Sequence, residues 1–435
     1  MNHRLDYYTY NHCSDQSSPW LHVTAILTAA CTFVLIFIGG LVTSNHAGMS
    51  VPDWPNSYGY NMFLFPPSKW VGGILFEHTH RLMGTVVGFF ATMLTLMAWA
   101  PAKTRTGRRW IAGAFMALTL SNAVGTAMMA IWPAHFHLSA SANQPLHILS
   151  QGAVTEIGMV LCAIAAFVCR SPEPRRWVRW VATACLIVIC IQGLLGGLRV
   201  DLINLTLAMV HGCFAQASFC LIIFTAIVTG RWWKSVPDLS KTPDPKQGRW
   251  LIRLAILSVC IVYCQLIVGA VMRHLGAGLA IPDLPFAYGK LIPPTNASQL
   301  ADANHFRIWK LDMDPVTLTQ IWLHFAHRIG AVVVSFALIT LIIVIFSQNR
   351  DRKGLVWPAR LLAFLLVAQV TLGILTVYLR KPADIASSHV AVGALVLAMT
   401  FTIAVRSMRL YSLRHRQVAR ADLNAMSRPL ASAGV

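Results

Sequence analysis

Glu77-His78-Thr79-His80-Arg81 stands at the head of an apolar run that continues from Leu82 to Trp99. Ionisable side chains are unfavourable where water is scarce, so a carboxylate, two imidazoles and a guanidinium entering a membrane-type segment together need partners or a task. The pattern then recurs. His324-Phe325-Ala326-His327-Arg328 opens a second run, from Ile329 to Phe346, keeping the His-Arg pair and placing His324 where Glu77 stood. Three residues make nearly one helical turn, so Glu77 shares a face with His80, and His324 with His327. Each face carries a ring nitrogen into a helix bundle.

Around these two stretches the chain reads as membrane protein. Of 435 residues, 56% are hydrophobic and 12% charged, and long apolar runs recur throughout. That composition excludes an ordinary soluble core and specifies an all-α, polytopic membrane fold. Hydropathy predicts about ten transmembrane helices, near 22–43, 76–100, 110–131, 148–169, 180–199, 204–230, 252–272, 320–346, 359–379 and 386–406. Lys103, Arg105, Arg108 and Arg109, then Arg170, Arg175, Arg176 and Arg179, then Arg231, Lys234, Lys241, Lys246 and Arg249 all fall in alternate loops. The opposite loops carry Asp53, Asp283, Asp302, Asp312 and Asp314. By the positive-inside bias both termini are expected in the cytoplasm, and the net charge of +19 is topological. No nucleic-acid partner is expected; the lipid bilayer is. Residues 1–20 lack the charged start, apolar middle and small-residue cleavage site of a signal peptide, so no cleavage is expected.

An internal repeat organises the spans. Residues 39–59 align without a gap on 269–289, matching Gly39, Ala47, Gly48, Pro52, Asp53, Pro55, Tyr58 and Gly59 to Gly269, Ala277, Gly278, Pro282, Asp283, Pro285, Tyr288 and Gly289. Several are turn formers, and their fixed spacing marks a duplication. Gln192, Leu195, Gly196 and Val200 likewise match Gln369, Leu372, Gly373 and Val377, and the next helix of each half carries a lone histidine, His211 or His389. The expected domains are an N-terminal tail (1–21), a first half (22–230) with an inserted helical hairpin at about 101–175, a linker (231–251), a second half (252–406) and a tail (407–435). Tails and linker are expected in the cytoplasm. The two halves are pseudo-symmetric four-helix bundles with one facing imidazole pair each, His80 with His211 and His327 with His389.

Depth agrees between the pairs. The four histidines lie three to seven residues inside the outer ends of their spans, roughly 5 to 11 Å at helical rise. Two imidazoles at matched depth on neighbouring helices suit axial ligation of haem, and Gly84, Gly88, Gly330 and Gly393 are expected to leave room for the macrocycle. Arg81 and Arg328 are candidate contacts for haem propionates, because a guanidinium fork matches a carboxylate. The plainer reading of any one histidine is helix packing; four at repeated positions weaken it. A non-haem metal at Glu77 with His78 or His80 competes, but the second half offers no matching carboxylate. The ten cysteines fall mostly inside spans and read as apolar packing residues.

These residues resemble the haem A synthases, over roughly 22–100 and 176–406. The resemblance rests on Glu-x-x-His-Arg at Glu77 to Arg81, the Pro-Asp-x-Pro loops at Pro52 and Pro282, Gln-Gly-Leu-Leu-Gly-Gly at Gln192 to Gly197, and the late histidines His211 and His389. It implies an oxidoreductase that converts haem O to haem A, oxidising a ring methyl group to a formyl group by successive hydroxylations, for cytochrome oxidase maturation. It further implies that His327 and His389 ligate a haem b cofactor, that His80 and His211 frame the substrate haem, and that Glu77 is the catalytic proton-handling group. Haem iron would be the metal at all four histidines. Implied partners are haem O, haem O synthase, cytochrome oxidase assembly factors and an unidentified electron donor; the implied location is a bacterial cytoplasmic membrane. Two features depart from the family pattern: the inserted hairpin, with His135, His137 and His147 at its turn, and the absence of a cysteine pair in the first outer loop.

Two other functions use the same ligands. A di-haem b-type electron-transfer subunit would pass electrons from a quinol through six-coordinate haems. A haem transporter or chaperone would hold haem weakly in both halves and make no product. Glu77, present in one half only, favours the enzyme.

Overall fold

The computed structural model describes residues 19–99, 144–168, 173–235 and 245–426, with isolated helical positions between 116 and 127. The described residues are almost wholly helical. In chain order the long helices are α1 (Trp20–Ser44), α2 (Gly73–Trp99), α3 (Gln144–Val168), α4 (Arg176–Asp201), α5 (Leu205–Thr229), α6 (Pro245–His274), α7 (Ala297–Leu311), α8 (Leu318–Gln348), α9 (Lys353–Tyr378) and α10 (Ala383–Met426). Eight of these contain stretches long and apolar enough to cross a membrane: α1, α2, α4, α5, α6, α8, α9 and α10. The protein is an all-α, multi-pass integral membrane protein. Of the expected hairpin, the second helix is seen as α3, with a shorter apolar core at Thr155–Ile164, while the span expected at 110–131 lies largely outside the described residues.

The chain divides into two compact units. The first is Met1–Gly230 with Leu375–Ala394, and the second is Arg231–Ile374 with Leu395–Val435. One boundary between the units falls after Gly230. The grouping of 375–394 with the first unit departs from a plain division into sequential halves, and the helix that begins at Ala383 runs on through the expected tail to Met426.

In the first unit α1, α2, α4 and α5 form a closed ring in which each helix packs against two of the others, and α3 packs against α2. α2 and α5, which carry His80 and His211, are therefore diagonal across the bundle. At the end remote from the repeat loop, Leu21, Ala25, Leu94, Met97, Ala98 and Ala182 close the core. In the second unit α6 packs along α8. The second repeat loop folds onto the start of α8, where Ala277, Ala280, Ile281, Ala287, Val316 and Ile321 form one buried cluster.

Local chemistry fixes where the histidine helices begin. α8 starts with a capping box: Thr317 Oγ1 accepts from the Gln320 N–H (3.2 Å), and Gln320 Oε1 accepts from the Thr317 N–H (2.9 Å). This places His324 and His327 in the second and third turns. α5 starts at Asn204, whose side chain accepts from the Leu207 N–H at 3.0 Å, two turns ahead of His211. α2 follows Gly72, whose φ of 54° is easy for glycine alone.

Candidate functional site

Each repeat loop is wired internally in the same way. Asp53 accepts from the Tyr58 and Gly59 N–H groups at 2.7 and 2.8 Å, and Asp283 accepts from Tyr288 and Gly289, both at 2.8 Å. The Tyr58 hydroxyl donates to the Ser50 carbonyl, and the Tyr288 hydroxyl to the matching Ala280 carbonyl at 2.6 Å. Tyr58 and Tyr288 both have positive φ, as do the following glycines, so the Asp caps hold a tight reversal. Both loops carry a cis peptide bond at the aligned proline, Trp54–Pro55 and Leu284–Pro285. Burial raises the pKa of the Tyr288 hydroxyl.

The arginines after the histidines clamp these loops. Arg81 donates to the carbonyls of Asp53 (2.6 Å), Asn56 (2.9 Å) and Val51 (2.7 Å). Arg328 donates to Phe286 (3.0 Å) and Ile281 (2.8 Å), the positions that match Asn56 and Val51. The guanidiniums expected to meet propionates are thus engaged by backbone carbonyls: the fork recognises a loop before it can recognise a ligand.

The residues one turn earlier complete the clamp. Glu77 is 2% exposed; its Oε2 accepts from the Val51 N–H at 2.9 Å and its Oε1 from Arg81 at 3.1 Å, with Arg199 at 3.9 Å. His324 is 3% exposed, and its Nδ1 accepts from the matching Ile281 N–H at 3.2 Å. Glu77 and His324 therefore do the same local job, and only Glu77 adds charge. His78 is turned away into the loop, hydrogen-bonded to Ser57 (3.2 Å) and packed against Phe65 and Trp70, with ring centres 5.0 and 4.7 Å away.

Across the first bundle the structure brings His80 and His211 together, with ring centres 6.4 Å apart and planes at 82°. Imidazole nitrogen lies about 2 Å from a bound transition metal, so two rings on opposite sides of one iron have their centres about 6 Å apart. Both Nδ1 atoms are buried without a well-formed hydrogen bond, and the backbones of Leu35 and Gln192 lie alongside as acceptors. A ligating imidazole uses its second nitrogen in that way. One and two turns beyond His80, a Cβ at Gly84 or Gly88 would meet no atom within 4 Å. The pair fits a haem.

In the second unit His327 has a different neighbour. The Gln265 amide nitrogen lies 3.1 Å from His327 Nδ1 and donates to the His327 carbonyl at 2.8 Å. Gly330, expected to leave space for a macrocycle, instead faces the Gln265 side chain, which a Cβ at 330 would overrun. Gln265 aligns with Leu35 in the first half. His389 lies in α10, within the segment that groups with the first unit. Among the described residues no cluster of three or more His, Cys, Asp or Glu side chains is placed to hold a metal ion. His135 and His137 lie outside the described residues, and His147 falls in α3.

Three residues have clear roles that the sequence reading does not assign to them. Arg199 donates to the Gly48 carbonyl (3.2 Å) and faces Glu77. Arg307, on the unexpected helix α7, holds the carbonyls of Leu279 (2.8 Å) and Asp314 (2.8 Å) beside the second loop. Gly197 gives passage to the Trp54 ring, with which an added Cβ would collide. A basic residue at a helix end and a Gly-Gly pair were the available signals.

The profile of the cytochrome oxidase assembly protein family (COX15-CtaA) matches residues 153–401. The chain belongs to this family. Relatives within reach by sequence are the heme A synthases of Rickettsia prowazekii (28% identical over 216 residues, 49% of this chain and 60% of the relative), Erythrobacter litoralis (28% over 225 residues, 50% and 59%) and Beijerinckia indica subsp. indica (30% over 202 residues, 46% and 51%). The chain spans between about half and three fifths of the length of these curated relatives. The family profile begins within α3 and ends within α10, so it includes His211, His327 and His389, while Glu77 and His80 precede it.

Proposed function

We propose that the protein is a haem A synthase, an oxidoreductase that takes haem O as substrate and oxidises one ring methyl group to a formyl group by successive hydroxylations, in support of cytochrome oxidase assembly. The observation that carries this reading is the facing pair His80 and His211, 6.4 Å apart inside a four-helix ring, in a chain of this family. His80 and His211 frame the substrate haem. His327 and His389 would hold a haem b cofactor, which supplies one-electron transfer to the site when bound.

The chain's own residues orient and confine. Glu77 and Arg81 fix the first repeat loop over the head of α2, which sets the depth of His80. Glu77 is also the group proposed to handle protons, since it places a carboxylate one turn from His80 where the second half has an imidazole. The loop's Trp54 lies on Gly197, next to the helix turn that carries Gly196, and so ties the lid of the site to α4. Arg199, 17% exposed in its side chain, adds a cation at the same rim. We further propose cytoplasmic termini in a bacterial cytoplasmic membrane, with haem O synthase, cytochrome oxidase assembly factors and an electron donor as partners.

Turnover tests the proposal. Haem O supplied to membranes containing the full chain is expected to yield hydroxylated haem and haem A, identified by extraction, chromatography and mass spectrometry. Haem b alone at two per chain, with no product, would replace the synthase by an electron-transfer subunit. Weakly held haem O returned unchanged would make it a carrier.

A further inference from the structure

Glycine inside a helix is destabilising relative to alanine, so a helix-interior glycine kept by a repeat needs a reason. Gly39 in α1 and Gly269 in α6 are one aligned pair, and Gly196 in α4 belongs to another. A Cβ on Gly39 would stand 3.0 Å from Cε1 of His80, 3.5 Å from its Nδ1 and 3.8 Å from its Nε2. On Gly269 the same distances to His327 are 2.9, 3.5 and 3.9 Å. On Gly196 they are 3.2, 3.7 and 3.8 Å to His211. The same ring edge is approached three times, in the same atom order, from three different helices. Gly158, Gly193 and Gly212 are different: a Cβ there would meet nothing within 4 Å.

The side-chain torsions of histidine leave a gap that this contact fills. Rotation about χ2 is broad and roughly two-fold, so the rotamer alone does not set the plane of the ring. We infer that Gly39, Gly196 and Gly269 are positioning residues, each a bare Cα floor on which one imidazole rests its Cε1 edge, so that Nε2 is held at the angle an iron requires. Cε1 lies between the two ring nitrogens, so pressure at that edge turns or displaces Nε2 directly. The inference rests on the proposal that these histidines ligate haem.

The test uses the full chain in haem-loaded membranes, with Gly269→Ala, Gly39→Ala, Gly196→Ala and, as a control, Gly158→Ala. The readouts are low-temperature EPR of the ferric protein, its optical spectrum, and haem b and haem O retained per chain. Gly269→Ala, the tightest contact, is expected to shift the highest g value of the bis-histidine haem and to speed haem b loss to an acceptor globin about tenfold. Gly39→Ala should leave that signal at its wild-type value while haem O retention falls about tenfold, and Gly196→Ala should do the same more weakly. Gly158→Ala should match wild type in every readout. An unshifted signal in Gly269→Ala, or an equal shift in Gly158→Ala, overturns the inference. If Gly269→Ala does not accumulate, Gly39→Ala decides alone: unchanged haem O retention overturns it. A wild-type protein without a bis-histidine signal fails the underlying haem proposal, an outcome visible before any variant is made.

Discussion

The first repeat loop hands its Val51 N–H to a carboxylate, and the second hands the matching Ile281 N–H to an imidazole. Much else about the two anchorages is shared: the Asp cap, the tyrosine hydroxyl on a loop carbonyl, and an arginine reaching back from the histidine helix. Holding the loop therefore needs an acceptor one turn before the histidine, and either chemistry serves. What Glu77 adds is charge, which draws in Arg81 and leaves Arg199 within 4 Å. A buried carboxylate that anchoring does not require is the part of the first half most open to a chemical task.

Removing a histidine from each half is the strongest way to separate them. His327→Ala is expected to abolish retained haem b and all product, whereas His80→Ala should keep the haem b spectrum and lose the product. Haem extraction with optical spectra reads both. Equal loss of haem b in the two variants would dissolve the division into cofactor and substrate halves.

Glu77→His comes next, because it writes the second half's anchor into the first. His324 already demonstrates that an imidazole at this position takes the loop N–H. The variant should fold and retain haem b, yet convert haem O at least about a hundredfold more slowly, the usual scale for a removed acid or base. Turnover at the wild-type rate would reduce Glu77 to an anchor.

The fold was legible in the sequence because its signals are of the right length. Apolar runs of membrane span, histidines at matched depth and a gapless repeat are all patterns of side chains along the chain. The clamps were not legible. Arg81 reads as a ligand for anions, but the acceptors it finds are backbone carbonyls of a loop some 25 to 30 residues earlier, which carry no mark in the sequence. Gly330 reads as space for a ligand; it lines an apolar cavity together with Gln265, whose amide a Cβ at 330 would strike. The helix Ala297–Leu311 was missed because its polar composition resembles a loop, although Asn296 caps it and Arg307 is buried against the second repeat loop. The matched depth of His80 and His211 is legible because depth along a helix is counted in residues. Ring planes are not, since they depend on contacts from other helices.

Arginine deletion should separate the halves by stability. Arg81→Ala removes three charged hydrogen bonds to the loop and leaves buried Glu77 without its 3.1 Å partner, which is expected to destabilise the first unit by about 3 to 5 kcal/mol. Arg328→Ala removes two such bonds and strands no carboxylate, so about 1.5 to 3 kcal/mol is expected. Thermal unfolding of the two variants in the same detergent gives the order. Arg328→Ala as damaging as Arg81→Ala would mean that the carboxylate contributes little to the first clamp.

The finest difference lies behind the histidines. His327 has a side-chain amide at its Nδ1, 3.1 Å away, where the aligned residue beside His80 is Leu35, offering backbone only. A ligating imidazole donates its second N–H, so with iron on Nε2 the Gln265 amide would turn its Oε1 toward Nδ1, a partner that holds the ring in one orientation and adjusts its strength as a ligand. On the proposed division of the halves, a side-chain partner suits a haem that stays, and a backbone acceptor alone suits a haem that must leave as product. Gln265→Leu makes the second half resemble the first at this point. Haem b should still bind, because both axial nitrogens remain, but should transfer to an acceptor globin about tenfold faster, close to 1.4 kcal/mol of lost hold. The converse substitution, Leu35→Gln, places an amide beside His80 and should slow haem A release from the first half. If neither exchange moves its haem, residence is set by the ligands and the glycine floors alone, and the amide at 265 only fills the space beside Gly330.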